Sequence, residues 1–138
     1  MARITIKNLW TDTDSMMKPE IAIQSTTNST RIDFYAYPEE LQSFAQKLQG
    51  FDGSEPIMFE YGAEENMYCH FQLKVTPIDL RGHSAFEIKF DNRRDLPEKA
   101  SGHFYVPANP ATVNDFGRSV GDWLENATDE LEYEWNDT

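Results

Sequence analysis

The chain has 138 residues, of which 39% are apolar and 13% aromatic, enough for a single domain with a core of its own. It carries 24 acidic and 12 basic side chains, a formal net charge of −12, and a field of that sign repels nucleic acid and anionic membranes. No basic leader with an apolar run opens the chain, no segment approaches membrane-spanning length, and the single Cys69 has no internal disulfide partner, so we expect a cytoplasmic protein that binds neither nucleic acid nor membrane.

The first 37 residues predict three β-strands. Their apolar residues alternate with polar ones, which is the period of a strand with one buried face. The residues that mark this alternation are Ile4 and Ile6, then Ile21 and Ile23, and then Ile32, Phe34 and Ala36. Tyr35 and Tyr37 fall on the opposite, polar face of the third strand.

The segment YPEELQSFAQKLQG predicts the first helix. Pro38 takes the first helical position, Glu39 and Glu40 lie where the helix dipole favours acids, and Gly50 stands just beyond the end. Four apolar residues recur at helical spacing and predict one buried stripe: Leu41, Phe44, Ala45 and Leu48.

Four more strands are predicted after this helix. Their markers are Ile57, Phe59 and Tyr61; Cys69, Phe71, Leu73 and Val75; Phe86, Ile88 and Phe90; and the segment from His103 to Val106. The segment DNRRDLPEKASG precedes the last of them, and its charges, proline and glycine predict an irregular loop.

The second predicted helix begins at Pro110, with Asn109 as its cap. Its apolar residues cover about a third of the helix circumference and predict a core face: Val113, Phe116, Val120, Trp123, Leu124 and Ala127. Gly117 and Gly121 border this stripe, and we expect them to allow a close approach to the sheet, with a local break in the helix as the alternative.

These elements predict an α+β fold over residues 1–138, in the order β-β-β-α-β-β-β-β-α. We expect one antiparallel sheet of about six to seven strands with both amphipathic helices packed on one face. An acidic aromatic tail, residues 129–138, follows. The two-residue spacing of Leu131, Tyr133 and Trp135 is typical of a short edge strand, and a flexible arm that engages a basic partner is the alternative.

The sequence predicts no catalytic, metal-binding or cofactor-binding residue. The segment GRSVG matches the G-x-S-x-G pattern of hydrolases, but it lies inside a predicted helix, and no histidine follows Ser119. His70, His83 and His103 are too scattered for a metal signature, and Cys69 is in phase with core residues. We therefore expect a protein that is not an enzyme and needs no cofactor.

The polar face of the sheet and the tail are the candidate binding surface. Tyrosines on a rigid sheet give a large contact area at low entropic cost. If the helices cover only the apolar face of the sheet, the polar face is open to solvent. In the alternative arrangement, the N-terminal strands or the tail cover the polar face. The candidate interface residues are Tyr35, Tyr37, Tyr68, His70, His103 and Tyr105 on the sheet, and Glu130, Glu132, Tyr133, Glu134 and Trp135 in the tail.

The order of the elements resembles a family of small bacterial proteins. The residues that carry the resemblance are Glu39, Glu40, Leu41, Phe44 and Leu48 in the first helix, and Val113, Phe116, Val120 and Leu124 in the second. With the N-terminal strands and the meander between the helices, this layout is similar to immunity proteins of polymorphic toxin systems, most nearly the WapI type. The resemblance implies a small, acidic, cytosolic and non-catalytic protein that occludes a cognate toxin. It carries over no binding residue.

Charge asymmetry adds to this hypothesis. Residues 1–50 hold five basic and six acidic side chains, whereas residues 51–138 hold seven and eighteen, so the excess of acid lies in the second part. An acidic surface speeds the association with a basic partner. We therefore expect an immunity or antitoxin-like inhibitor that occludes a basic protein such as a toxin domain. The alternative is a small-ligand binding module that uses the aromatic, polar sheet face. The sequence does not predict the oligomeric state.

Overall fold

A computed structural model describes residues 1–126 and 130–138 of the chain. Within these ranges it contains seven strands and two helices in the predicted order, followed by an eighth, C-terminal strand. The elements are β1 (Ala2–Thr11), β2 (Met17–Gln24), β3 (Ser29–Asp33), α1 (Pro38–Gln49), β4 (Ile57–Tyr61), β5 (His70–Pro77), β6 (Ser84–Asp91), β7 (Ser101–Pro107), α2 (Pro110–Asn126) and β8 (Glu130–Trp135). The predicted α+β class is thus confirmed.

The strands form two antiparallel sheets of four strands each. Sheet A has the order β3-β2-β1-β8, and sheet B has the order β4-β5-β6-β7. The expected single sheet of six to seven strands is corrected to this pair. A strand with one buried face has the same alternating pattern whether its neighbours belong to one sheet or to two sheets that share a core, so the pattern could not distinguish the two arrangements.

The tail forms the edge strand of sheet A. β8 pairs with β1, with Ala2 opposite Trp135 and Ile6 opposite Leu131. Leu131 and Trp135 are buried on the same side as the apolar residues of β1. Of the two alternatives for this segment, the structure shows the short strand. Residue 129, where the predicted tail begins, and Ala127 of the predicted stripe lie outside the described residues.

Residues from both sheets and both helices meet in one hydrophobic core. Phe34, just after β3, contacts Phe59 and Phe71 of sheet B, with ring centroids 5.4 and 5.1 Å away. At the opposite edge of sheet A, the ring centroid of Trp135 lies 5.4 Å from that of Phe86 of sheet B. The two sheets therefore contact each other through aromatic residues at two separate places.

Both helices begin where the sequence predicts, and α1 also ends there. In α1, Pro38 is the first residue, and the Glu40 carboxylate accepts the Tyr37 backbone N–H at 2.9 Å. In α2, the Asn109 side chain caps the first turn by accepting the Thr112 backbone N–H at 2.8 Å. Neither helix is long and apolar enough to cross a membrane, in the part of the chain that the structure describes.

The two helices pack closely on each other at Gly117. A Cβ atom built on Gly117 would lie 2.7 Å from the Leu48 Cβ and 2.9 Å from the Ala45 carbonyl oxygen. The close approach predicted for this glycine is therefore to α1, and the expectation of an approach to the sheet is corrected. Sequence spacing identifies a position that needs a small residue, but it does not identify the element that lies opposite.

Candidate functional site

A bulge near the end of β1 brings a tryptophan to the surface. Asn8 pairs with Pro19 and Thr11 with Met17, so β1 has one residue more than β2 between these pairs. The even-numbered residues Ala2, Ile4 and Ile6 face the core, and Trp10 would follow them in a regular strand. Instead Trp10 is 42% exposed. The bulge is the reason that this large apolar ring faces solvent.

Three aromatic rings line up next to this bulge. The Trp10 ring lies 6.0 Å from the Tyr35 ring, and the Tyr35 ring lies 5.6 Å from that of Tyr68 in an edge-on arrangement. Tyr68 is 42% exposed, and Tyr35 is half-buried. The rings come from β1, from the segment after β3 and from the loop before β5, so residues far apart in sequence form one aromatic surface.

Two basic side chains lie among these rings. The Lys18 ammonium is 5.6 Å from the centre of the Tyr35 ring and 5.5 Å from that of Tyr68, within the range of a cation–π contact. Hydrogen bonds to Glu98 and to Tyr68 raise the pKa of Arg94. We name Trp10, Lys18, Tyr35, Tyr68 and Arg94 the aromatic–basic cluster.

Tyr68 is held in place from two directions. Its hydroxyl donates a hydrogen bond of 2.8 Å to the Asp33 carboxylate, and this bond raises the pKa of Tyr68. The Arg93 guanidinium donates to the backbone carbonyls of Gly62, at 2.7 Å, and of Met67, at 3.1 Å. The loop between β4 and β5, which carries Tyr68, is therefore tied to the loop that follows β6.

A cavity of about 230 Å³ opens beside the cluster, between sheet A and the loop after β6. We name it the Arg31–Arg94 pocket. Its lining residues are Glu20, Arg31, Ile32, Asp33, Tyr68, Cys69, Asn92 and Arg94. Tyr68 belongs to both the cluster and the pocket, so a molecule stacked on its ring would lie at the mouth of the pocket.

Three other predicted interface residues lie elsewhere, on the outer face of sheet B. His70 is 2.8 Å from the Glu60 carboxylate. His103 contacts the Glu87 carboxylate at 2.7 Å, and Tyr105 donates a hydrogen bond to it at 3.1 Å. The structure thus divides the predicted tyrosine and histidine surface. Tyr35 and Tyr68 belong to the aromatic–basic cluster, whereas His70, His103 and Tyr105 form a separate polar face, and Tyr37 is exposed at the start of α1.

The predicted interface residues of the tail alternate along β8. Glu132 and Glu134 point outward, where both contact the Arg3 guanidinium, at 3.4 and 3.0 Å. Glu130 is exposed, and Trp135 is buried. Tyr133 is partly buried, which raises its pKa to about 12.

The residues weighed for catalysis or metal binding do not converge. Ser119 lies within α2. Cys69 is buried, which raises the pKa of its thiol to about 11. Within residues 1–126 and 130–138, no three histidine, cysteine or acidic side chains are grouped so that they could hold a metal ion.

No family model matches this sequence, and a search of curated proteins finds no relative. The fold itself is similar to that of two plant proteins of known structure. The structure of the plant transcriptional regulator PBF-2 matches 91% of this chain and 78% of its own, with a TM-score of 0.50 and 13% sequence identity. The crystal structure of WHY1 from Arabidopsis thaliana matches 89% of this chain and 77% of its own, with a TM-score of 0.51 and 12% identity.

This similarity corrects three functional expectations. A transcriptional regulator shares the fold, and this finding overturns both the predicted bacterial immunity-type inhibitor of a basic protein and the small-ligand alternative. It also overturns the exclusion of nucleic acid, which was drawn from net charge. Net charge is a sum over the molecule, whereas binding depends on the charges at one place, and Lys18, Arg31 and Arg94 lie together. The resemblance to WapI-type proteins stays a prediction that these comparisons do not test.

Three members of this site are not identified by the sequence patterns. Trp10 stands at an even-numbered position, like the core residues of β1, so the strand period predicts a buried side chain. Only the bulge, which has no sequence signature, turns it outward. Lys18 lies near the start of β2, and no sequence pattern distinguishes it from the other polar residues of that strand. Arg94 lies in the segment DNRRDLPEKASG, which the sequence predicts only as an irregular loop. The doubled arginine at 93–94, between polar residues in an acidic chain, is the one signal that could have identified it.

Proposed function

We propose that this protein is a non-catalytic nucleic-acid-binding protein that holds a single strand at the aromatic–basic cluster. The observation that carries the proposal is the line of rings formed by Trp10, Tyr35 and Tyr68, with the Lys18 ammonium over two of them. The similarity in fold to a plant transcriptional regulator supports it. A cytoplasmic location, as expected from the sequence, remains part of the proposal.

Stacking of bases is the interaction that this surface suits best. Each base stacked on an aromatic side chain contributes about 1–3 kcal/mol, and every base has a face that can stack. The faces are free in a single strand and covered in a duplex, so the exposed rings of Trp10 and Tyr68 favour single strands. Lys18 and Arg94 lie where the phosphates beside a stacked base would pass.

The net charge of −12 limits the affinity. About three basic groups are placed to meet phosphates, namely Lys18, Arg31 and Arg94. A slope of about −0.7 in log K against log [salt] per phosphate contact then gives about −2 in total. The rest of the molecule repels the strand, so we expect weak binding that is clear only at low salt.

The test is a titration of short fluorescent single-stranded oligonucleotides at low salt, followed by anisotropy. Trp10→Ala and Tyr68→Ala should each weaken binding about tenfold, because each removes one stacking partner. Tyr105→Ala is the matched control, since Tyr105 is also an exposed tyrosine but lies on the outer face of sheet B. It should leave binding unchanged.

Tryptophan fluorescence gives an independent readout. Trp10 is exposed, whereas Trp123 and Trp135 are buried, so a stacked base should quench the emission of Trp10 alone. The quench should disappear in Trp10→Ala. Absence of binding to any single strand at low salt, or an equal loss in Tyr105→Ala, would overturn the proposal.

A further inference from the structure

The Arg31–Arg94 pocket adjoins the ring of Tyr68, and it brings Arg31 into the same cavity as Arg94 of the aromatic–basic cluster. The pocket is lined by Arg31 from β3 and by Arg94 and Asn92 from the loop after β6. These side chains supply two guanidinium groups and one amide to a concavity of about 230 Å³. Tyr68 forms part of its wall, next to the position where a base would stack.

We propose that this pocket binds a backbone phosphodiester of the strand, next to the base that stacks on Tyr68. This inference rests on the proposed function, since it assigns the phosphate of the same ligand. Arginine presents a planar fork of N–H donors that matches two phosphate oxygens at once, and a phosphate between Arg31 and Arg94 would receive donors from both sides.

The present partners of the two arginines leave room for such a phosphate. Arg31 lies 3.9 Å from the Glu20 carboxylate, beyond hydrogen-bond distance. Arg94 pairs with Glu98 at 2.9 Å, and both of these side chains are more than half exposed. Ion pairs between exposed side chains contribute little to stability, so either arginine can exchange its carboxylate for a phosphate at small cost.

Two carboxylates in the pocket restrict which anion is accepted. Glu20 and Asp33 line the same cavity as the arginines, so the pocket has no large net positive charge. A phosphodiester carries one negative charge and a free phosphate carries more, so the acids disfavour the free anion more strongly. The Asp33 carboxylate also holds the Tyr68 hydroxyl, at 2.8 Å. The pocket therefore selects a phosphate within a strand whose base occupies the Tyr68 ring.

The test compares two charge-removing substitutions of the same kind. Arg94→Gln removes a charge from the pocket, and Arg118→Gln removes one from α2, where Arg118 pairs with Asp115 at 3.2 Å. Arg94→Gln should weaken binding of a single strand about tenfold and reduce the salt slope by about 0.7, whereas Arg118→Gln should change neither by a comparable amount. Glu98→Gln should strengthen binding because it releases Arg94 from its ion pair. Asp33→Asn should also strengthen binding because it removes a negative charge from the lining of the pocket.

A strand with neutral methylphosphonate linkages identifies the phosphate as the group recognised. The wild-type protein should bind it more weakly than the ordinary strand, and Arg94→Gln should lose most of this preference. Inorganic phosphate should compete no better than chloride at equal ionic strength. Thermal denaturation of each variant checks that it is folded, which we expect because Arg94 is exposed.

The outcomes separate the two proposals. If no single strand binds the wild-type protein, the proposed function fails and the pocket has no assigned ligand. If Trp10→Ala and Tyr68→Ala weaken binding but Arg94→Gln and Arg118→Gln have equal effects, the proposed function stands and the pocket assignment is overturned. Competition by inorganic phosphate at low concentration would also overturn it, because the pocket would then be a site for the free anion.

Discussion

Glu87 is a buried acid that the surrounding side chains keep charged. It is 7% exposed, and its carboxylate receives contacts from His103 at 2.7 Å, Tyr105 at 3.1 Å and Thr76 at 3.2 Å. Burial acts to raise the pKa of Glu87, but these hydrogen bonds outweigh it and lower the pKa below its ordinary value of 4.5. The folded protein therefore favours the charged form of this residue.

This shift fixes the sign of a pH effect on stability. A carboxyl with a lowered pKa in the folded state contributes stability above its ordinary pKa, and the contribution is lost as the pH falls through the folded value. Glu87→Gln should therefore lower the free energy of unfolding by about 1 kcal/mol at neutral pH, and the difference from wild type should shrink below pH 4.5. Urea denaturation at a series of pH values measures this. The exposed Glu130→Gln serves as control, and a gap that grows as the pH falls would contradict the assignment.

At the scale of elements, the contact between α1 and α2 depends on one of two glycines. A Cβ atom on Gly117 would meet the Ala45 carbonyl oxygen and the Gln49 backbone nitrogen, both at 2.9 Å. A Cβ atom on Gly121 would meet only the end of the Gln49 side chain, at 3.5 Å, which is an ordinary contact. The two glycines occupy the same helix, but only the first is needed for packing.

Alanine substitutions should therefore have opposite effects at these two positions. Gly121→Ala should raise the free energy of unfolding by about 1 kcal/mol, because alanine favours the helix more than glycine does. Gly117→Ala gains the same helical preference, but it forces the helices apart and should be destabilising by about 1–3 kcal/mol. Chemical denaturation of both variants measures these changes in the free energy of unfolding. Stabilisation by Gly117→Ala would show that the helices can separate at no cost.

The sequence predicts the elements of this protein well and their assembly less well. Proline, cap and glycine signals locate α1 and α2, and alternation locates the strands β1 to β6, because these signals act within a few residues. The division into two sheets and the partner of Gly117 depend on segments distant in the chain, and the bulge that exposes Trp10 depends on the register between β1 and β2. The strand period predicts Tyr35 and Tyr68 as interface candidates on the polar face of the sheet. The contacts of Tyr35 with Trp10, and of both tyrosines with Lys18, follow only from the three-dimensional arrangement.

At the scale of the whole molecule, Trp135 joins the two sheets. Its indole N–H donates to the Pro107 carbonyl oxygen of β7 at 2.8 Å, and its ring contacts Phe86 of β6. Trp135 itself belongs to β8 of sheet A and is 7% exposed. The final strand therefore contributes a hydrogen bond and a large apolar surface to the contact between the sheets.

Replacement of this residue should show its role. Trp135→Ala should cost about 3–5 kcal/mol of unfolding free energy, as expected for a buried tryptophan. Trp10→Ala should cost less than about 1 kcal/mol, because the Trp10 ring is at the surface. Denaturation followed by circular dichroism compares the two without relying on tryptophan emission. Similar costs for both variants would mean that Trp10 supports the fold and is less free to bind a ligand.

The pairing of β1 with β8 has a consequence for how the chain folds. Ala2 lies opposite Trp135, so sheet A cannot acquire its fourth strand until residues 130–135 have been synthesised and have left the ribosome. Contacts between residues so far apart give the protein a high contact order, and proteins of that kind fold in milliseconds to seconds, more slowly than helical bundles. Until β8 arrives, the outer edge of β1 is open, and a nascent chain in that state has an unpaired strand that chaperones or other chains can bind.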